Sequence, residues 1–136
     1  MPAANLNLII QQGETWGRTL TWKNSAGTPY DLTGYTARMQ IRLTADSATP
    51  IIELNTSPTA AQGTITLGGV AGTIGLLLSS ALSAGMSFAG ASIGTVQEGT
   101  DTATGQLGVY DLDLTNGTVV TTLARGTVCF VKEVTR

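Results

Sequence analysis

Apolar and polar residues alternate without a break along residues 35–43, YTARMQIRL. Every second position from Tyr35 to Leu43 is apolar, and each position between is Thr, Arg or Gln. This period of two is typical of a strand with one buried and one solvated face, whereas a helix would spread the same apolar residues around its axis. The segment is therefore predicted to be a half-buried β-strand.

Shorter patterns of the same kind predict further strands, separated by turn-forming residues. Asn116-Gly117 is a strong signal for a two-residue hairpin, and Arg125-Gly126 predicts a second turn. The additional predicted strands cover residues 5–10, 15–23, 51–54, 64–67, 73–78, 107–114, 118–123 and 127–134.

Two segments lack a strand pattern. Residues 79–86, SSALSAGM, carry helix-forming residues after a serine that can cap a helix, and they predict a single helical turn. Residues 88–106 are rich in Gly, Ala and Thr and have few apolar residues. We interpret them as a long loop or a protruding hairpin.

The fold class follows from the number and length of these segments. About seven to nine short strands with frequent turns are typical of a β-sandwich or small barrel. No long amphipathic helix separates them, as a parallel α/β sheet would require. A chain of 136 residues has the length of one domain. We predict an all-β fold, a single immunoglobulin-like antiparallel β-sandwich over residues 1–136 with one short helical turn.

Composition narrows the classes of function. Charged residues make up 12 % of the chain, about half the usual share, and the formal net charge is −2. A weakly charged surface favours contact with other protein, although Thr-rich secreted or adhesive domains share this composition. The basic residues are few and scattered, so we expect no nucleic-acid partner.

Motifs for catalysis and cofactor binding are missing from the sequence. The chain has no histidine, and it has no P-loop, nucleophile elbow or dinucleotide-binding fingerprint. Its one cysteine, Cys129, lies in an apolar run at residues 128–131, which predicts a buried thiol. We expect no enzyme activity and no cofactor. Since one cysteine cannot form an intrachain disulfide, we also expect assembly in a reducing cytoplasm.

Residues 74–94 are uncharged and long enough to cross a bilayer. However, Ser and Gly make up nearly half of them, and no Lys or Arg anchors flank them. The residues after Met1 also lack the basic segment of a secretory signal. We therefore expect no membrane association.

Four charged residues are candidates for one site. Asp111 and Asp113 share one face of a predicted strand, as Arg38 and Arg42 do on another. If the two strands are neighbours, these side chains form a cross-strand charge ladder. Paired carboxylates can also bind a metal or act as acid and base, but the ladder, or a solvated face, is the favoured interpretation.

Glu98 and Asp101 are a weaker candidate for calcium binding, because two carboxylates in a polar segment are common. Trp16 and Trp22 are predicted to face the core, the alternative being an exposed platform for stacking against sugars. Arg18 has the same parity as both tryptophans, so one end of that strand is expected to leave the core or to twist out.

Several segments together resemble small immunoglobulin-like proteins of phage tails and baseplates. They are similar to the N-terminal domain of baseplate upper proteins and to short proteins that accompany tail fibres. The similar segments are QGETW at 12–16, GTPYDLTGY at 27–35, ARMQIR at 37–42, GVYDLDL at 108–114, RGTV at 125–128 and EVTR at 133–136. Within them, the hydroxyl of Tyr110 is expected to reach the backbone.

The resemblance implies a structural role in a virion, with assembly in the host cytoplasm. We expect an adaptor in a tail, baseplate or fibre attachment that contacts other virion subunits. Exposed strand edges also predict a homo-oligomer. A head decoration protein of the same fold and a carbohydrate-binding or adhesive module are the alternatives. Arg38, Arg42, Asp111, Asp113, Glu98 and Asp101 are the candidate interface residues.

Overall fold

The computed structural model describes residues 4–133, and strands dominate it. A short helix, α1 (Ser80–Gly85), and a 3-10 turn at Gly69–Ala71 complete the regular structure. The ten strands are β1 (Ala4–Asn5), β2 (Leu8–Gln11), β3 (Trp16–Thr21), β4 (Thr36–Arg42), β5 (Ile52–Asn55), β6 (Gly63–Leu67), β7 (Thr73–Leu78), β8 (Ile93–Glu98), β9 (Asp101–Asn116) and β10 (Val119–Val131). The predicted all-β, sandwich-like fold is confirmed.

The strands form one curled sheet in the order β1-β10-β9-β4-β5-β6-β7-β3. β2 follows β1 along the same edge of β10, and β8 pairs with β9 beyond β4. Most pairs are antiparallel; β10 with β1 and β2, and β5 with β6, are parallel. The two ends of this order are therefore β3 on one side and β1 with β2 on the other.

The inner face of the curled sheet is the hydrophobic core. The alternation predicted for β4 is confirmed, since Ala37, Met39 and Ile41 are buried. Phe88 stacks on Phe130 with ring centroids 4.6 Å apart, which fixes the segment before β8 against β10. A single core of this kind is expected for one domain.

The segment at residues 88–106 contains a hairpin, one of its two predicted forms. β8 and β9 pair from Ile93 opposite Gln106 to Glu98 opposite Asp101. β9 then continues without a break through the strand predicted at residues 107–114. Most of the hairpin's side chains are exposed or half-buried, which explains why no apolar alternation marked these strands.

The turn predicted at Arg125-Gly126 is wrong. β10 is continuous from Val119 to Val131, with a bulge between Thr122 and Ala124. Gly126 is required here by close packing rather than by a turn, because a Cβ atom at this position would clash with the backbone of Leu6. Residue 134, predicted as the last of this strand, and residues 134–136 of the final motif lie outside the described residues.

The predicted helical turn is confirmed as α1. Ser79 caps it by accepting a hydrogen bond from the Leu82 amide at 3.2 Å. The Ser83 hydroxyl donates to the Glu14 carbonyl at 2.7 Å and accepts from the Gly13 amide at 3.0 Å, so α1 is tied to the connection between β2 and β3. Within residues 4–133, no helix has the length and apolar character needed to span a membrane.

Candidate functional site

The two ends of the sheet meet along a line that we call the seam, between β3 and the edge formed by β1, β2 and β10. The indole Nε1 of Trp16 in β3 donates to the Ile9 carbonyl in β2 at 2.9 Å. No backbone ladder between β3 and β2 is present within residues 4–133. Side chains therefore close the sheet at this point.

Four residues, which we call the clasp, make that closure: Ile9, Trp16, Arg18 and Glu98. Glu98 Oε1 accepts the Ile9 amide at 2.9 Å, and Arg18 Nη2 donates to the Ile9 carbonyl at 3.1 Å. Arg18 also donates two hydrogen bonds to the Glu98 carboxylate, from Nε to Oε2 at 2.6 Å and from Nη2 to Oε1 at 2.9 Å. Both backbone groups of Ile9 are thus satisfied by side chains from other elements.

The clasp combines a bidentate ion pair with an aromatic contact. The Arg18 guanidinium carbon lies 5.2 Å from the centroid of the Trp16 ring, within cation–π range. The Arg18 and Glu98 side chains are 34 % and 14 % exposed, so water screens the pair only in part. Such a pair holds the tip of the β8–β9 hairpin against β3.

Burial and pairing act in opposite directions on the Glu98 carboxyl. Burial alone would raise the pKa of Glu98, but the hydrogen bonds from Arg18 and Ile9 and the charge of Arg18 lower it below its ordinary value of 4.5. The hydrogen bond to Glu98 in turn raises the pKa of Arg18. The charged form of the pair is therefore the stable one at neutral pH.

The tryptophans face the core, as predicted, with Trp16 4 % and Trp22 8 % exposed. The expectation that one end of β3 leaves the core is wrong. Arg18 keeps the inward parity of its neighbours because the clasp pairs its charge. Tyr30 is 37 % exposed and stacks on Trp22 at 4.2 Å, so the pair of tryptophans offers no open platform for a sugar.

The calcium interpretation of Glu98 and Asp101 gains no support from the geometry. The two residues face each other at the tip of the β8–β9 hairpin, and the Glu98 carboxylate is engaged by Arg18 and Ile9. Among the residues that the structure describes, no group of three or more His, Cys, Asp or Glu side chains could hold a metal.

At the other end of the seam, residues 4–133 leave a gap between the strands. A cavity of about 360 Å³, which we call the groove, separates the end of β3 from the first half of β10. Of the described residues that line it, Lys23 alone is charged. The lining residues are Ala4, Leu6, Leu20, Thr21, Trp22, Lys23, Thr121, Thr122, Leu123 and Ala124.

Two apolar side chains next to the groove are exposed: Val119 at 65 % and Val120 at 60 %. The hairpin predicted here is confirmed, but its two turn residues are Gly117 and Thr118, one position later than predicted, and Val119 pairs with Asn116 across them. Because parity alternates along a strand, Val119 and Thr121 share one face of the sheet and Val120 the other. The strand therefore exposes apolar side chains on both faces.

The predicted neighbour relation between the two charged strands is confirmed. Arg38 lies opposite Asp113, and Gln40 opposite Asp111, in the ladder between β4 and β9. Direct ion pairs between these side chains are not formed, because within residues 4–133 only Arg18 and Glu98 approach within 4.0 Å.

Other polar groups engage the side chains of this face. Arg42 donates to the Ser47 carbonyl at 2.7 Å and to the Gln40 side chain at 2.8 Å. Asp113 accepts from the Thr122 hydroxyl at 2.7 Å. The face is a polar network in which charges lie near one another without pairing.

The pKa of Asp111 shifts in the opposite direction to that of Glu98. Burial first, and the charge of Asp113 second, raise the pKa of Asp111, against the lowering influence of Arg38, Arg42 and Arg125. Ionisation of Asp111 is therefore less favourable in the folded chain than in the unfolded chain.

Two further predictions from single residues are confirmed. The Tyr110 hydroxyl donates to the Leu6 carbonyl at 2.6 Å, which ties β9 to the connection between β1 and β2. Cys129 is fully buried with its thiol 3.7 Å from the Ala103 carbonyl, and burial raises the pKa of that thiol. The deprotonated form that reacts is thereby disfavoured.

Scanned against models of known protein families and against curated protein sequences, the chain matches none. The resemblance to phage tail proteins therefore stays a prediction.

The clasp predicts a specific loss of stability in the variant Glu98→Gln. Hydrogen bonds to charged groups contribute about 1.5–3 kcal/mol each, so we expect a loss of about 1–3 kcal/mol in the free energy of unfolding by urea at pH 7. Because the folded-state pKa of Glu98 is lowered, its contribution is present above the unfolded value and is lost as pH falls through the folded value. The difference between the variant and the wild type should shrink below about pH 4.

The matched control is Asp101→Asn, which removes an exposed carboxylate at the same hairpin tip and should change stability by less than about 0.5 kcal/mol. A Glu98→Gln variant as stable as the wild type at pH 7 would contradict the clasp.

The raised pKa of Asp111 predicts the opposite sign for Asp111→Asn. Removing a charge whose ionisation opposes folding should raise the urea midpoint at pH 7, and only slightly, because the Asp111 side chain is largely exposed to water. Asp46→Asn, at an exposed loop position, is the control and should be neutral. A lower midpoint for Asp111→Asn would instead show that the charges act as a stabilising ladder.

Proposed function

We propose that the chain is a structural component of a tailed-phage virion, an adaptor in the tail, baseplate or fibre attachment that acts through contacts with other proteins. The observation that carries this proposal is the open end of the seam. There an apolar groove and two exposed valines, Val119 and Val120, lie together, on a part of β10 that pairs with β9 alone within residues 4–133.

Charge supports the same proposal. Charged residues are 12 % of the chain, and among the described residues that line the groove Lys23 is the single charged one. Exposed apolar surface at a strand edge favours association with protein. A partner strand can hydrogen-bond to unpaired backbone groups and at the same time remove the apolar side chains from water. The resemblance to tail and baseplate proteins supplies the class of partner.

At the opposite end of the seam, the clasp makes the domain a rigid support for the groove. The Arg18–Glu98 pair fixes the β8–β9 hairpin to β3 with a bidentate contact. A scaffold closed in this way presents the groove on fixed strands, and a preordered surface loses less entropy when it binds. We propose no catalytic step, in keeping with a sequence that has no histidine.

The proposal predicts that the chain is present in purified particles of the phage that encodes it. Quantitative mass spectrometry should find it at a fixed ratio to the major tail or capsid protein. Antibody labelling viewed by electron microscopy should then place it at the tail, the baseplate or the fibres.

A location on the capsid would favour the head decoration alternative. Absence from the particles, together with retardation of the purified chain on polysaccharide, would contradict the proposal and favour an adhesive module.

A further inference from the structure

The turn between β9 and β10 joins an asparagine to a glycine at the surface. Asn116 is the last residue of β9, and Gly117 and Thr118 form the two-residue turn. Asn116 and Gly117 are both exposed, and they are the one Asn-Gly pair in the sequence. The side-chain amide of Asn116 and the backbone amide of Gly117 are therefore neighbours in contact with water.

The backbone conformation of the turn requires the glycine. Gly117 has φ +63°, and no residue other than glycine has a positive φ within residues 4–133. A two-residue hairpin with a positive φ at its first central residue alone is a type II′ turn, which takes glycine at that position. The turn thus places beside Asn116 the one residue type that has no side chain to shield its backbone amide.

Both amide groups are unobstructed. Within residues 4–133, the Asn116 side chain makes no hydrogen bond, and the Gly117 amide donates none. The space around Gly117 is open, since a Cβ atom built on it would have no described atom within 4 Å. A group that is hydrogen-bonded must give up that bond before it reacts. Neither of these groups has such a bond to break within the described residues.

The other asparagines of the chain lack this combination. Asn7, Asn24 and Asn55 each accept a backbone amide through the side-chain oxygen. Asn5 is exposed, but it is followed by Leu6, whose amide donates to a carbonyl of β10 at 2.9 Å. Among the asparagines that the structure describes, Asn116 alone has both a free side chain and a free amide after it.

We propose that Asn116 is a site of spontaneous deamidation in the folded chain. The Gly117 nitrogen forms a bond to Cγ of Asn116 and gives its proton to a base in the solvent. The bond from Cγ to Nδ2 breaks, and Nδ2 takes a proton from water and leaves as ammonia. The product of this step is a cyclic succinimide that joins the two residues.

One water molecule then opens the ring. If the bond from Cγ to the Gly117 nitrogen breaks, residue 116 becomes aspartate. If the bond from the main-chain carbonyl carbon breaks instead, it becomes isoaspartate, and the main chain runs through Cγ. The reaction requires only water and base, so it does not depend on the proposed function.

Both products change the surface at this end of β10. Each adds one negative charge to a chain whose formal net charge is −2, next to the exposed Val119 that pairs with Asn116. Isoaspartate also lengthens the main chain at the turn, which displaces the pairing of these two residues. The modification would therefore alter an apolar part of the surface as the protein ages.

The experiment is incubation of the purified full chain at mildly alkaline pH, followed by ion exchange and peptide mapping by mass spectrometry. An acidic form should accumulate in which the Asn116 amide is replaced by a carboxyl group, while Asn5 stays intact. The rate should rise with pH, because the attacking nitrogen must lose its proton. In guanidinium chloride, Asn116 should react no more than about tenfold faster, since the turn adds little to the barrier.

Asn116→Gln keeps an uncharged amide but lengthens the side chain, so the acidic form should be lost. The matched control is Asn5→Gln, which removes an exposed asparagine without a glycine after it and should leave the acidic form unchanged. Circular dichroism establishes that both variants are folded.

An Asn116 that stays intact in the folded chain, while it reacts in guanidinium chloride, would overturn the proposal, because the hairpin would then protect it. Conversion of Asn5 as fast as Asn116 would also overturn it, and so would an Asn116→Gln variant that becomes acidic at the rate of the wild type.

Discussion

A curled sheet must satisfy the backbone groups of its two end strands, and the clasp does so at Ile9. The amide of Ile9 donates to Glu98 and its carbonyl accepts from Trp16 and Arg18, so three side chains replace a missing strand pairing. A buried backbone group without a partner costs about as much as a lost hydrogen bond. The position of β3, and with it the closure of the core over Trp16, depends on this arrangement.

The seam has two ends with opposite properties. At the clasp, side chains satisfy the edge of β2 and a bidentate ion pair holds the β8–β9 hairpin in place. At the groove, Val119 and Val120 are exposed, and the first half of β10 pairs with β9 alone within residues 4–133. Both features reflect one constraint: within residues 4–133, backbone pairing does not join the two ends of the sheet. At one end side chains close the sheet, and at the other a groove remains.

Local sequence signals predicted those parts of the fold that local interactions determine. The alternation in β4, the hairpin at Asn116-Gly117 and the serine cap of α1 each reflect contacts between residues close in sequence. The sequence of residues 88–106 fits a loop as well as the hairpin formed by β8 and the start of β9, because a hairpin with two solvated faces needs no apolar alternation. Gly126 predicted a turn, whereas the structure uses it for close contact with Leu6.

The clasp could be predicted only in part. The parity of Arg18 among inward-facing residues marks β3 as unusual without identifying a partner, and the sequence makes Glu98 a candidate only for calcium binding or an interface. Their pairing joins residues 80 positions apart, and no local pattern carries that information. The role of Ile9 had no signal at all, since its contribution is made by the backbone.

The most direct test of the clasp is native-state hydrogen exchange at the Ile9 amide, measured by NMR. If Glu98 accepts this amide, its protection at pH 7 should approach that of the paired amides of β10, and Glu98→Ala should lower that protection while leaving the β9–β10 ladder protected. An Ile9 amide that exchanges as fast as those on an open strand edge would contradict the account, because the sheet would then end at β2 without closing.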